Sequence, residues 1–429
     1  MSDDTSKQTG GASPLSTPVL DELSLPLEEL VRRGARQLIQ RAIEVEVEAL
    51  LGQYETVTLL DGRRAVVRNG YLPEREILTG IGPVEIQMPK VRDRSGSGVK
   101  FNSSLVPPYV RRTPRVSAAL PWLYLKGVSS GDLSEALQVL LGEDAKGLSP
   151  NVLGRLKAQW AQEHQDWTQR SLVDQQYVYW WADGIYTSLR EDDDERLCLL
   201  VILGVTPEGK KEWVAISDGF RESTESWLDV LRDLQAQGLT LGPRLAVGDG
   251  ALGFWSALEQ VYPETLHQRC WFHKSGNVLA DLPKSLQSKA KADLQAIWMA
   301  PTQREAKRAF DRFVKRYEAK YPKATAKLVK DRAELLAFYA FPAEHWIHLR
   351  TTNPIESSFA TVRHRTTRTK NCVTRKTFLG LAFKLAEEAA KSWRRIRAPE
   401  KLKELLAGTR YEDGIPVTDN PPEELRDAA

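Results

Sequence analysis

Cysteine is scarce in this chain. Cys198, Cys270 and Cys372 are the only three among 429 residues. They are too few and too scattered for a disulfide framework, so a reducing cytoplasm is the expected compartment. Long apolar runs are missing as well. The longest, LCLLVILGV at 197–205, has nine residues. A bilayer span needs about 20; this run reads as a buried strand, and no membrane attachment is expected. The first residues, MSDDTSKQTGGASP, are polar and acidic, unlike a secretory leader. Net charge is also small, at +3. The total therefore does not announce a polyanionic partner.

What is there is more telling. At 41% hydrophobic and 27% charged, the chain can build two or three domains with real cores. Its charge is segregated. Residues 63–100 carry +4, residues 301–332 carry +7 and residues 363–376 carry +6, which leaves −14 for the remainder. Segregation of this kind can lay a positive track on a nearly neutral protein. The plainer account is that amphipathic helices show basic faces to solvent.

Residues 1–24 have the composition of a disordered tail. Helical periodicity runs from 27 to 52 and stops at Gly52. The period then becomes two, and a β-hairpin is expected around 73–92. From 113 to 170 the pattern is helical again, with Ser149 and Pro150 as a good helix start. Two helices around a Gly-containing turn here read as a helix-turn-helix or as an ordinary helical hairpin. In the first case Asn151, Arg155 and Lys157 face DNA. Strand-like runs YVYWWAD, RLCLLVILGV and KEWVAIS follow, then a helix over 223–237, a short strand LAVGD and the helix ALGFWSALEQVY. This order predicts an α/β layer architecture. Residues 274–340 are helical and basic. Helices are expected at 354–364 and 376–395, and a loose tail after Pro399.

Asp183 ends the first strand-like run and Asp249 ends the fourth; glycine follows each. Carboxylates at strand C-termini lie where open α/β sheets bind ligands. An Asp-Gly turn is the alternative. Glu356 lies in TTNPIESSFATVRHRTTRTK, just before a basic tract. Its alternative is a capping box, with Asn353 as N-cap and Glu356 at N3. Ile355, Phe359 and Val362 would form the apolar face of that helix, and Arg363, two turns beyond Glu356, would share its face. Three such carboxylates suit hard divalent cations with oxygen ligands. Two ions of this kind clamp the attacking and leaving oxygens of an in-line phosphoryl displacement. Asp218, Glu222 and the EDDDE run at 191–195 rank lower.

Gly248, Gly250 and Gly253 match G-x-G-x-x-G after a strand. A dinucleotide site would need an acidic residue about 20 positions on, and position 268 is Gln. Cys270 and His273 form C-x-x-H, and His345 and His348 a second pair, so a zinc site is conceivable. Packing and hydrogen bonding are the simpler role.

ADGIY at 182–186, VGDGALGFWSAL at 247–258, QRCWFHKSGNVL at 268–279 and the Glu356 segment, in that order, resemble the prokaryotic Mutator-type insertion-sequence transposases. The resemblance covers about residues 27–400. It implies a ribonuclease-H-like catalytic core with an all-α insertion, preceded by a mostly helical DNA-binding region with a β-hairpin. The corresponding boundaries are 25–110, 111–172, 173–273 for the first part of the core, 274–350 for the insertion, 351–398 for the C-terminal core helices and 399–429 for the tail. Asp183, Asp249 and Glu356 would be the catalytic residues and would hold two Mg²⁺, for which Mn²⁺ can substitute. Cys270 and His273 carry the family's C-x-x-H signature. Arg363, Arg365, Arg368 and Lys370 would hold DNA phosphates. Trp298 and Trp346 could stack on an unpaired base, or pack in the core. The implied activity is strand cleavage and transfer at terminal inverted repeats and target DNA, by a cytoplasmic, nucleoid-associated homodimer. A ribonuclease-H-like nuclease without strand transfer and a transposase-derived regulator are the alternatives.

Overall fold

The computed structural model describes residues 26–128, 132–142, 150–188, 196–219, 221–250, 252–356, 359 and 374–417. The chain divides into two units, Met1–Asn151 and Val152–Ala429.

In the first unit, helix α1 (Leu27–Gln53) buries Ile43 against Ile77, Val84, Ile86, Met88 and Val106. Strands β2 (Arg75–Thr79) and β3 (Gly82–Ile86) form the expected hairpin. A second antiparallel pair flanks it, β1 (Val66–Tyr71) with β4 (Pro89–Asp93). Helices α2 (Pro114–Leu125) and α3 (Asp132–Leu141) follow.

The second unit is built on one five-stranded sheet of order β7-β6-β5-β8-β9. Strands β5 (Tyr179–Ser188), β6 (Arg196–Val205) and β7 (Lys211–Gly219) are antiparallel neighbours. Strands β8 (Leu245–Gly248) and β9 (Leu266–Arg269) continue the sheet parallel to β5. Leu199 through Leu203 are fully buried, as a continuous apolar run requires when both sheet faces are covered. Alternation sorts the side chains of β5. Trp180 and Ala182 join a core with Trp227, Leu231, Phe254 and Leu258, from helices α5 (Thr224–Ala236) and α6 (Leu252–Val261). Tyr179 and Trp181 face the other way. Tyr179 Oη bonds His345 Nδ1 at 2.8 Å, and Trp181 Nε1 donates to the His348 carbonyl at 3.1 Å.

Between β9 and residue 350 the chain is helical. It forms α7 (Trp271–Leu279), α8 (Lys284–Trp298), α9 (Gln303–Tyr317), α10 (Pro322–Lys330), α11 (Arg332–Leu335), two 3₁₀ turns and α12 (Trp346–Leu349). Helix α9 buries Ala306, Ala309, Phe310, Phe313 and Tyr317 and exposes Arg304, Lys307, Arg308, Arg312, Lys315 and Arg316. The +7 of this stretch is thus the solvent face of an amphipathic insertion.

Three expectations need correction. Strand β9 is absent from the expected elements, because its four residues LHQR bury only Gln268 and show no apolar alternation. Helix α4 (Pro150–Thr168) packs with α13 (Arg375–Ala390) instead of ending a separate region near 172. Glu163 pairs with Lys384, and His164 lies 5.5 Å from Phe383. The tail after Pro399 is not loose as far as 417. Helix α14 (Glu400–Leu406) buries Leu402 and Leu405, and the hairpin of β10 (Tyr411–Glu412) and β11 (Ile415–Pro416) docks through Gly414 N to the Tyr339 carbonyl. Among the described residues no helix is long and apolar enough to cross a membrane.

Candidate active site

Strands β5 and β8 are parallel neighbours, paired from Tyr179↔Leu245 to Ala182↔Gly248. Asp183 and Asp249 are the next residue on each. The sheet therefore brings together two carboxylates 66 positions apart in the chain. Asp183 shares the face of Tyr179 and Trp181, where the segment leading to Glu356 also lies. Its Oδ1 accepts from Gly184 N at 3.0 Å. The Asp249 carbonyl accepts from Trp255 Nε1 at 3.0 Å and Arg269 Nη1 at 2.9 Å.

Glu356 arrives on the helical turn 353–356. The Thr352 carbonyl accepts from Ile355 N and Glu356 N, so Thr352 is the residue at the cap. Asn353 is then the first helical residue, and Glu356 stands one place past the position that a capping box uses. Ile355 and Phe359 are fully buried, and Phe359 packs edge-on against Trp213 at 5.2 Å. Burying that face turns Glu356 toward His273, whose Nε2 is 3.1 Å from Glu356 Oε1. His273 Nδ1 lies 3.8 Å from Asp249 Oδ2 and 3.5 Å from Thr352 Oγ1. Cys270 caps the same helix α7, with its N–H on the Gly248 carbonyl at 2.9 Å. Its Sγ accepts from Thr352 N at 3.4 Å. The C-x-x-H pair thus joins the strand that delivers Asp249 to the turn that delivers Glu356.

Glu222, ranked low from sequence, lies beside them. A Cβ on Gly184 would fall 1.9 Å from Glu222 Oε1, so this carboxylate rests on the glycine that follows Asp183. A Cβ on Gly253 would strike the backbone of Glu222 and Ser223 at 2.3–2.6 Å. These two glycines admit the turn before α5. The signal available in the sequence is the glycine after Asp183; nothing in it shows what covers that glycine.

The electrostatics agree with a crowded anionic site. Burial pushes the Asp183 carboxyl up to about 6; His273 opposes this, and Glu356 and Asp249 add to it. Burial, Asp183 and Asp249 push Glu222 up to about 7, again against His273. The hydrogen bond with Cys270, the Cys270 charge, Asp249 and Asp183 together raise His273 to about 9, against burial. The surrounding carboxylates thus favour the imidazolium form of His273, a cation facing them. Among the described residues no group of three or more His, Cys, Asp or Glu side chains is already set to hold a metal ion. The chemistry of the donor set nonetheless fits Mg²⁺, since it is all carboxylate oxygen and short of positive charge.

Other expected residues fall differently. Arg363, Arg365, Arg368 and Lys370 lie outside the described residues, as do Val362 and the side chain of Asn151. Arg155 is exposed and Lys157 half-buried on α4. Trp298 is half-buried, 5.0 Å from Trp271. Trp346 is buried, and its Nε1 donates to the Phe341 carbonyl at 2.8 Å. His345 has both ring nitrogens engaged, by Tyr179 and the Ala398 carbonyl, and is not available to zinc. Gln268, at the end of the strand after the glycine turn, is fully buried and accepts from Phe338 N. That arrangement leaves no ribose-binding acid for a dinucleotide.

A family model described as "Transposase, Mutator family" matches residues 19–396. The chain is 60% identical over 304 residues to the transposase for insertion sequence element IST2 of Acidithiobacillus ferrooxidans, covering 69% of this chain and all of that protein. It is 51% identical over 299 residues to the transposase for insertion sequence element IS6120 of Mycolicibacterium smegmatis, covering 70% of this chain and 92% of that protein. It is 28% identical over 302 residues to the transposase for insertion sequence element IS256 of Staphylococcus aureus, covering 70% and 74%. The structure corrects one expectation, since β5 runs on past Asp183 to Ser188 and only Asp249 stands at a strand end. With these two aspartates, the C-x-x-H helix and the Glu356 turn assembled in one place, the chain belongs to the Mutator family of transposases.

Proposed function

We propose that this protein is the DNA transposase of an insertion sequence, binding the element's terminal inverted repeats and catalysing metal-dependent strand cleavage and strand transfer. The observation that carries the reading is the meeting of Asp249 and Glu356 across His273, next to Asp183. The sheet order, three antiparallel strands followed by two parallel ones, supports a ribonuclease-H-like core.

Asp183, Asp249 and Glu356 are the residues that would hold Mg²⁺. When bound, such ions activate the attacking oxygen and stabilise the leaving one in an in-line displacement. The protein's own part is orientation. His273 Nε2 stands 3.1 Å from Glu356 Oε1 and aims that carboxylate. Tyr179 and Trp181 close the sheet face below Asp183 and exclude water from it. Arg363, Arg365, Arg368 and Lys370 would position backbone phosphates and not read bases. Joining two element ends calls for a homodimer, acting in the cytoplasm on the nucleoid.

The test is a strand-transfer assay with end-containing DNA and Mg²⁺. Joined products support the transposase; cleavage alone points to a nuclease, and binding without either to a regulator. Asp183→Asn, Asp249→Asn and Glu356→Gln should each abolish cleavage and keep end binding. Cleavage retained in all three would eliminate the site.

A further inference from the structure

The motif QRCWFHK does more than supply Cys270 and His273. Its other polar side chains turn toward residues 327–338 of the helical insertion. Gln268 Nε2 and Trp271 Nε1 both donate to the Leu335 carbonyl, at 3.2 and 2.8 Å. Lys274 Nζ donates to the Lys327 carbonyl at 3.1 Å, near the C-terminal end of α10. Arg269 Nη2 lies 3.0 Å from Asp331 Oδ2, and Lys274 Nζ bonds the same oxygen. All three charged side chains are about nine-tenths buried. Asp331, between α10 and α11, thus neutralises two buried cations from the motif.

Both cations lead to the carboxylate site. Arg269 uses its other terminal nitrogen on the Asp249 carbonyl, and Trp255 takes that oxygen's second lone pair. The peptide plane after Asp249 is therefore fixed from two sides. Lys274 directly follows His273 on α7, so anchoring Lys274 fixes the rotation of the helix that presents His273 to Glu356.

We propose that Asp331 is a positioning residue, which clamps Arg269 and Lys274 so that the helical insertion sets the orientation of Asp249 and His273. This rests on reading Asp249 as a metal-binding carboxylate. A buried carboxylate serving two cations cannot be replaced by a neutral group without leaving charge uncompensated. Groups that orient metal ligands typically change metal affinity by about 10–100-fold when removed.

The test is calorimetric titration of the full-length protein with Mn²⁺, alongside cleavage of end DNA as Mn²⁺ is varied. Asp331→Asn and Arg269→Gln should each raise the Mn²⁺ dissociation constant and the half-saturating concentration for cleavage by about tenfold or more. Asp331→Glu should recover much of the loss, and end-DNA binding should stay within about twofold of wild type. If either variant, shown folded by circular dichroism, binds Mn²⁺ and cleaves as wild type does, the clamp is not a positioning device. If activity falls only with the unfolded fraction while half-saturation is unchanged, Asp331 is merely structural, and the proposal is overturned. Asp249→Asn is the control. Should it bind Mn²⁺ like wild type, the metal reading itself fails, a result separate from anything seen at Asp331, and the proposal falls with it.

Discussion

His273 Nε2 stands 3.1 Å from Glu356 Oε1, while its Nδ1 faces Asp249 Oδ2 at 3.8 Å. One imidazolium thus spans two carboxylates that lie 107 positions apart in the chain. His273→Ala should remove the ring that contacts the side-chain oxygens of both Glu356 and Asp249. Strand cleavage should fall by about 10–100-fold, as for other residues that orient metal ligands, with end binding intact. Cleavage at the wild-type rate would show that the bridge does not orient Glu356.

Asp183 makes a pH-dependent prediction. Its carboxyl moves from an ordinary 3.8 up to about 6, chiefly through burial. The folded protein binds this proton more tightly than the unfolded chain does. The associated stability is complete below about pH 4 and is lost as pH rises through 6. Asp183→Asn should therefore be more stable than wild type at pH 8 in EDTA. A gain of about 2–3 kcal/mol is expected, since each tenfold change in proton affinity is worth roughly 1.4 kcal/mol. At pH 4 the two should coincide. Urea unfolding at pH 4, 6 and 8 measures the difference, and a gap that does not change with pH would contradict the assignment.

Glu222→Gln removes a carboxylate that rests on Gly184 beside Asp183. The anionic site then loses charge without losing volume. Half-saturating Mg²⁺ for cleavage should rise by about tenfold, and the rate at saturating Mg²⁺ should change less. An unaltered Mg²⁺ dependence would confine Glu222 to a packing role.

Gly380 tests the junction of α4 and α13. A Cβ there would lie 2.6 Å from Ala161 N and 2.8 Å from the Trp160 carbonyl carbon. Both are backbone atoms, which cannot swing aside. Gly380→Ala should cost about 1–3 kcal/mol in urea unfolding, as overpacked sites do. No loss would mean that the two helices separate easily.

Much of this is legible in the sequence. Buried strands such as LCLLVILGV declare themselves by composition; the Asp-Gly pair does end β8 at Asp249, but β5 continues through Asp183 and Gly184 to Ser188. The family resemblance then places Asp183, Asp249 and Glu356 together. What stays hidden depends on contacts distant in the chain. Glu222 has no motif of its own and gains its meaning only from Gly184 and Gly253. Strand β9 buries a glutamine where an apolar residue would have announced it. The expected helix start is displaced by one residue because Asn353-Pro354 looks like a cap, yet Thr352 provides the carbonyl that the first helical amides use.

The Tyr179–His345 bond and the Trp181 contact with the His348 carbonyl pin residues just ahead of Glu356 directly to the central strand. Glu356 therefore takes its bearings from β5 and not from the length of polypeptide that precedes it. Loops of the intervening helices, such as the one joining α9 to α10, can therefore change in length without shifting Glu356, provided that Asp331 keeps its hold on Arg269 and Lys274.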